Sequence, residues 1–266
     1  MKKLGKLYLV LVMLFLYAPI FVLIVFSFNQ SKSSSVFTGF TLDWYKRLFN
    51  NRLIISSLVN TIIIAVAASI ISTTLGTLAA IGINSMRKVP RTIVMNVTNM
   101  PIINPEIVTG VSLMLLFSFF AARMTLEFGF VTLLIAHITF DVPYVILNVM
   151  PKFNQMDPHL YEAAQDLGCS PFKAFRKVVL PEIMPGVISG FLMSFTYSLD
   201  DFVISYFTSG STSQTLPITI YSMTRRKVSP EINALSTLIF ITVVIVLIVK
   251  NFVENKAAKK AGTGGR

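Results

Sequence analysis

The chain has 266 residues, 54% of them hydrophobic and only 13% charged, with a net charge of +11 and one cysteine. A soluble domain carries about 25% charged residues, so this composition excludes an ordinary soluble fold; disorder, which needs low hydrophobicity, is excluded as well. Cys169 alone supports neither an internal disulfide framework nor a cysteine-based zinc site, and the length suits one integral membrane domain.

A bilayer core takes about 20 mostly apolar residues per helix. Leu7 to Ser31 and Leu53 to Met86 are uncharged. Thr92 to Ala122 contains one acid, Glu106, and Phe128 to Pro151 contains one, Asp141. Ile183 to Thr224 holds only the adjacent pair Asp200 and Asp201, and Ile232 to Val249 is uncharged. The pattern predicts an all-α integral membrane protein with six spans, at 7–28, 54–84, 94–122, 128–150, 183–207 and 232–252. The first span follows Lys2, Lys3 and Lys6 but is too long for a signal-peptide core and lacks a small-x-small cleavage site, so it reads as a retained anchor.

Lys and Arg in the loops set orientation. Fifteen of the 23 basic residues fall on the side of the N-terminus, which places both termini in the cytoplasm. The positive charge is therefore a topology signal, and no nucleic-acid partner is expected. Residues 1–256 form the membrane domain, and 257–266, small, basic and Gly-rich, are expected to be a disordered tail.

The cytoplasmic loop 151–182 reads as two short helices. Asp157-Pro158 and Ser170-Pro171 each give an N-cap followed by a first-turn proline. Gly168 fits a left-handed C-cap for the first helix, and Pro181 is expected to end the second. Apolar residues line one side, with Lys173, Arg176 and Lys177 on the other. By patterning alone this hairpin is either an element lying on the inner membrane surface or a dock for a soluble partner.

Glu162-Ala163-Ala164, then Gly168, then Val178, Leu180 and Pro181, resembles the EAA motif of binding-protein-dependent ABC importer permeases, with Val178 where the pattern has Ile. Asn104 to Val108, Ser198 to Val203 and Ser229 to Thr237 resemble the spermidine/putrescine branch of that family. The resemblance implies the six-helix, MetI-like type I permease fold. Loop 151–182 would be its coupling helix, with Glu162, Ala163, Ala164, Asp166, Gly168, Leu180 and Pro181 seated on a separate ATPase. It implies a sister permease, two ATPase subunits, an extracytoplasmic polyamine-binding protein and the bacterial inner membrane. The chain has no Gly-x4-Gly-Lys-[Ser/Thr] loop, so ATP and Mg belong to the partner ATPase; this chain is expected to hold no cofactor or metal and no catalytic residue.

The intramembrane charges are lopsided: Glu106, Asp141, Asp200 and Asp201 are acids, and no Lys or Arg enters a span. Ionisable groups at membrane depth are costly and mark pathways, and carboxylates without cationic partners suit a cation. Asp200 and Asp201 sit ~26 Å along their helix from Ile183, near its outer end. Tyr197 shares a face with one or both of them and offers cation–π attraction to a protonated amine. The pair either lines the pathway or caps a helix end at the rim. Glu106 follows Pro101 and Pro105, which suggests a broken helix; it lines a cavity or binds freed backbone amides. Asp141 and His137, four apart, form either a buried structural pair or a proton relay. Trp44 in the first outer loop is a membrane-interface anchor or a contact for entering substrate or binding protein. Arg225-Arg226-Lys227 is a dock for acidic groups or a solvated loop.

The function expected is a permease for a polyamine, or for another cationic or small solute. An ion-coupled carrier would leave the ordered hairpin without a purpose. An intramembrane enzyme lacks any His-Glu-x-x-His and a second His within the spans.

Overall fold

A computed structural model of the chain describes residues 2–31, 36–124, 127–157, 159–226 and 230–263. The helices in chain order are α1 (Lys2–Phe26), α2 (Asp43–Asn50), α3 (Arg52–Asn84), α4 (Lys88–Ile103), α5 (Glu106–Met124) and α6 (Phe130–Gln155). They continue with α7 (His159–Asp166), α8 (Pro171–Ala174), α9 (Leu180–Asp200), α10 (Val203–Thr208), α11 (Leu216–Arg226) and α12 (Pro230–Thr263). Among the described residues there is no strand, only an isolated bridge between Asn29 and Phe40.

Among the described residues, five stretches are long and apolar enough to cross a bilayer: Gly5–Phe26, Arg52–Asn84, Glu106–Arg123, Phe130–Gln155 and Pro171–Asp200. The apolar part of the last helix, Pro230–Ile245, is shorter. The break suggested by Pro101 and Pro105 is present: the stretch 94–122 is two helices, because Pro105 has no amide hydrogen and forces Asn104 into an extended conformation (φ −67°, ψ 139°). The structure departs from the sequence reading at three other places. The expected span 183–207 stops at Asp200, where Asp201 turns extended (φ −60°, ψ 123°) before α10 begins. Pro181 does not end the second hairpin arm. A π-helical turn, Phe175–Val179, widens the backbone just before it, and the chain runs on into α9 with Pro181 in the first turn. Finally, α12 carries helix through 257–263 of the expected tail; 264–266 lie outside the described residues.

The chain forms two compact units, Met1–Leu58 with Ile218–Ile245, and Val59–Pro217 with Val246–Arg266. In the first, none of the apolar stretch of α1 is buried. The loop after it folds around Asn29, whose side chain donates to the Val36 carbonyl (2.8 Å) and accepts from the Thr38 amide (2.9 Å). Ser57 and Thr219 hydroxyls pair at 2.6 Å.

The second unit is built on α6. Val145, Ile146, Val149, Met150 and Phe153 pack with Ala80 and Ile83 of α3 and with Val179 and Ile183 at the start of α9. In lipid, helices gain little from apolar burial alone, so close packing through small residues matters more. Gly186 provides it: a β-carbon there would lie 2.7 Å from the Asn148 carbonyl oxygen. At Gly76 a β-carbon would fall 2.6 Å from Val145 Cβ. Leu113 and Phe117 of α5, Ala136 and Phe140 of α6 and Ile204 of α10 form a second core cluster.

Candidate functional site: an acidic, aromatic cavity at two helix breaks

Within the second unit, a cavity of about 280 Å³ opens where both helix breaks meet. Pro101 from α4, Glu106 and Thr109 from α5, Phe140 and Tyr144 from α6, and Tyr197 and Asp200 from α9 line it. Asp201, Phe202 and the start of α10 close it. The first break places Glu106 at the N-terminus of α5, and the second places Asp200 at the C-terminus of α9. Helix breaks at membrane depth persist where they line a cavity or are buried in protein. Among the described residues, three carboxylates face or border this one, and no lysine or arginine lines it.

The aromatic wall is ordered. Tyr197 packs on Tyr144 with ring centroids 4.5 Å apart, and Phe202 packs on Tyr206 at 5.5 Å. Ring faces are electronegative and attract cations, most strongly where water is excluded. Aromatic faces between carboxylates suit an elongated molecule carrying protonated amines and a methylene chain.

The structure divides the adjacent acids. Asp200 is exposed toward the cavity. The Asp201 side chain is only 6% exposed and turns back into the protein, accepting hydrogen bonds from the backbone amides of Ile204 (3.2 Å) and Ser205 (2.7 Å). It thereby satisfies amides at the start of α10 that have no partner inside the helix. The capping alternative thus holds for Asp201, while Asp200 is left facing the cavity.

The expected hydrogen bond between His137 and Asp141 is absent. His137 is fully buried, and its ring nitrogens pair with Ser198 (2.5 Å) and Ser205 (2.9 Å). Asp141 is fully buried beside Ser194, makes no well-formed hydrogen bond and does not line the cavity. The spacing of four put both side chains on one face of α6, but α9 and α10 supply nearer partners for the imidazole.

Trp44 belongs to the first unit. It is 5% exposed, and its indole N–H donates to the Asn29 carbonyl at 2.6 Å. It acts there as a pin for the loop after α1. Trp44→Phe keeps an aromatic ring and removes this donor. That is expected to cost about 1 kcal/mol of stability, the net contribution of one hydrogen bond, read as a lower unfolding temperature, with uptake per folded molecule unchanged. In the Arg225-Arg226-Lys227 cluster, Arg225 lies over the Tyr221 ring at 5.3 Å, and Lys227 is outside the described residues.

The hairpin between α6 and α9 has a defined shape. Glu162, Ala163, Ala164 and Asp166 lie in α7. Gly168 takes φ +85°, a left-handed conformation that favours glycine. The Gly168 amide donates to the Gln165 carbonyl (2.8 Å) and the Cys169 amide to the Ala164 carbonyl (3.1 Å). These two bonds make a Schellman stop, which accounts for the interval between Ala164 and the glycine. Ala164 is buried, while Glu162, Leu167 and Phe172 are exposed. Leu180 and Pro181 are not on the hairpin tip; they form its junction with α9. Pro158 lies outside the described residues.

Sequence reasoning missed Tyr144, Phe140, Thr109 and Phe202 as cavity residues. An aromatic on an apolar helix reads as ordinary core, and nothing in its spacing marks a wall.

The family model described as "Binding-protein-dependent transport system inner membrane component" matches residues 72–258. The spermidine/putrescine transport system permease protein PotC of Haemophilus influenzae is 37% identical over 242 residues, covering 91% of this chain and 93% of that protein. The putrescine transport system permease protein PotI of Escherichia coli K12 is 38% identical over 250 residues, covering 92% and 89%. Among solved structures, a chain of a bacterial ABC transporter involved in importing the acidic polysaccharide alginate superimposes with TM-score 0.71. That match spans 93% of this chain and 94% of the other at 16% identity, and so speaks to the fold. The chain belongs to the family of inner-membrane permease components of binding-protein-dependent ABC importers.

Proposed function

We propose that this chain is the transmembrane permease subunit of an ATP-driven importer of polyamines, spermidine and putrescine. The observation that carries this reading is the cavity, where Glu106 and Asp200 stand at two helix breaks beside the Tyr144–Tyr197 pair without a basic residue in the lining. The identity of 37–38% to polyamine permeases over nine-tenths of the chain supports the same substrate. With its sister permease the chain forms the pathway across the bacterial inner membrane, both termini in the cytoplasm. A binding protein delivers substrate outside, and two ATPase subunits bind ATP and Mg inside. This chain holds no cofactor and does not hydrolyse ATP.

Coupling follows from the continuity of one segment. Residues Pro171–Asp200 run as one helical rod from the hairpin to the cavity, ~45 Å long at 1.5 Å per residue. The hairpin seats on the ATPase through α7 and the exposed Leu167 and Phe172. When ATP binding draws the ATPases together, the hairpins follow, and α9 carries Tyr197 and Asp200 with them. The cavity then opens to the outside; hydrolysis resets it, an alternating-access cycle of rigid-body rocking.

Proteoliposomes containing the full complex, with ATP inside and binding protein outside, test this. Accumulation of labelled spermidine or putrescine that requires ATP and survives ionophores is expected. Accumulation without ATP that collapses with ionophores indicates a secondary carrier. ATP-driven uptake of another cation in place of polyamines overturns the substrate assignment.

A further inference from the structure

A histidine at membrane depth is costly and demands a reason, and the transport reading alone gives His137 none. It does not line the cavity and is fully buried in α6. Its two nitrogens reach across the second helix break: Nδ1 pairs with Ser198 near the end of α9, and Nε2 with Ser205 in α10. A serine hydroxyl donates or accepts, so either neutral tautomer is satisfied at both contacts. Between these serines sits Asp201, whose Oδ2 accepts the Ser205 amide and lies 3.7 Å from His137 Nε2. A second fastening lies nearby, where Thr132 of α6 donates to the Thr208 carbonyl at 2.8 Å.

The imidazole thus holds both sides of the break from a third helix and fixes the residue between them. With Asp201 turned inward as the cap of α10, the preceding residue at the helix end is directed the other way. Asp200 is that residue, and it faces the cavity.

We infer that His137 is a positioning residue: it clamps Ser198 and Ser205 across the α9–α10 break, locks Asp201 inward, and so presents Asp200 to the cationic substrate. It touches no substrate itself. The inference rests on the polyamine reading of the cavity.

The test is a double-mutant cycle in the full complex, reading polyamine uptake per permease in the membrane. His137→Phe keeps a planar ring but removes both bridges. It is expected to lower uptake roughly tenfold, the scale of a misplaced charged hydrogen bond, with normal co-purification of the partners. His137→Gln carries one donor and one acceptor and is expected to restore most of the loss. In an Asp200→Asn background His137→Phe is expected to add little further loss, since its effect passes through Asp200. Ser205→Ala removes one arm of the clamp and should show the same non-multiplying pattern, which covers the case in which His137→Phe fails to insert. Multiplying losses, or failure of His137→Gln to recover uptake, overturn the positioning role. A wild-type complex that moves no polyamine overturns the reading beneath it; robust wild-type uptake with His137→Phe unaffected overturns only the inference.

Discussion

Asp200→Asn is expected to reduce polyamine uptake roughly tenfold to a hundredfold while leaving the amount of permease in the membrane unchanged. A hydrogen bond to a charged group contributes about 1.5–3 kcal/mol, and Asp200 is the more exposed of the two acids at the cavity. Its side chain makes no part of the α10 cap, so its loss removes charge from the cavity without loosening the fold. Asp201→Asn provides the contrast. Asn caps helices about as well as Asp, so the amides of Ile204 and Ser205 keep an acceptor and uptake should fall less. Labelled spermidine uptake normalised to permease content distinguishes the two. A larger loss at Asp201 than at Asp200 would reverse the division of roles.

Gly168→Val is expected to abolish ATP-coupled transport by a different route. The position needs φ +85°, where a side chain costs about 1–2 kcal/mol and a β-branched one is poorly tolerated. Nothing lies within 4 Å of a β-carbon built there, so the penalty is backbone strain and not a clash. The strain falls on the stop that ends α7 and sets the direction of the chain into α8. A misdirected α7 no longer presents Glu162 and Leu167 to the ATPase. The expected signature is permease present in the membrane, ATPase lost on purification, and uptake at background. Gly168→Asn, a residue that enters the left-handed region more readily, is expected to keep a substantial part of both. Equal activity of wild type and Gly168→Val would remove the hairpin from coupling.

Much of this architecture was legible in the sequence, for identifiable reasons. Uncharged runs mark membrane helices because the bilayer penalises every charge, and the Asn104-Pro105 break is written in the proline itself. The hairpin was legible because caps and a left-handed glycine are local signals. The second break was not: Ser198 to Ser205 contains neither Gly nor Pro, and the interruption exists because the Asp201 carboxylate replaces the helical acceptors. The partners of His137 lie 61 and 68 residues away in sequence, beyond any periodicity, so its local neighbour Asp141 stood in for them. Pro181 misled for a related reason. A proline usually ends a helix, but the preceding π turn provides the room its ring requires. Tyr144 carried no signal until the fold set it against Tyr197.

Photo-crosslinking tests whether a cationic substrate passes through the cavity between the two breaks. A light-activated spermidine analogue, delivered by the binding protein to the complete complex, is crosslinked and the modified peptides of this chain are mapped by mass spectrometry. Label is expected on the segments holding Tyr144 and Tyr197 through Phe202, changing with the nucleotide state and competed by spermidine. Label confined to other segments, or unaffected by ATP and by competing polyamine, would contradict it.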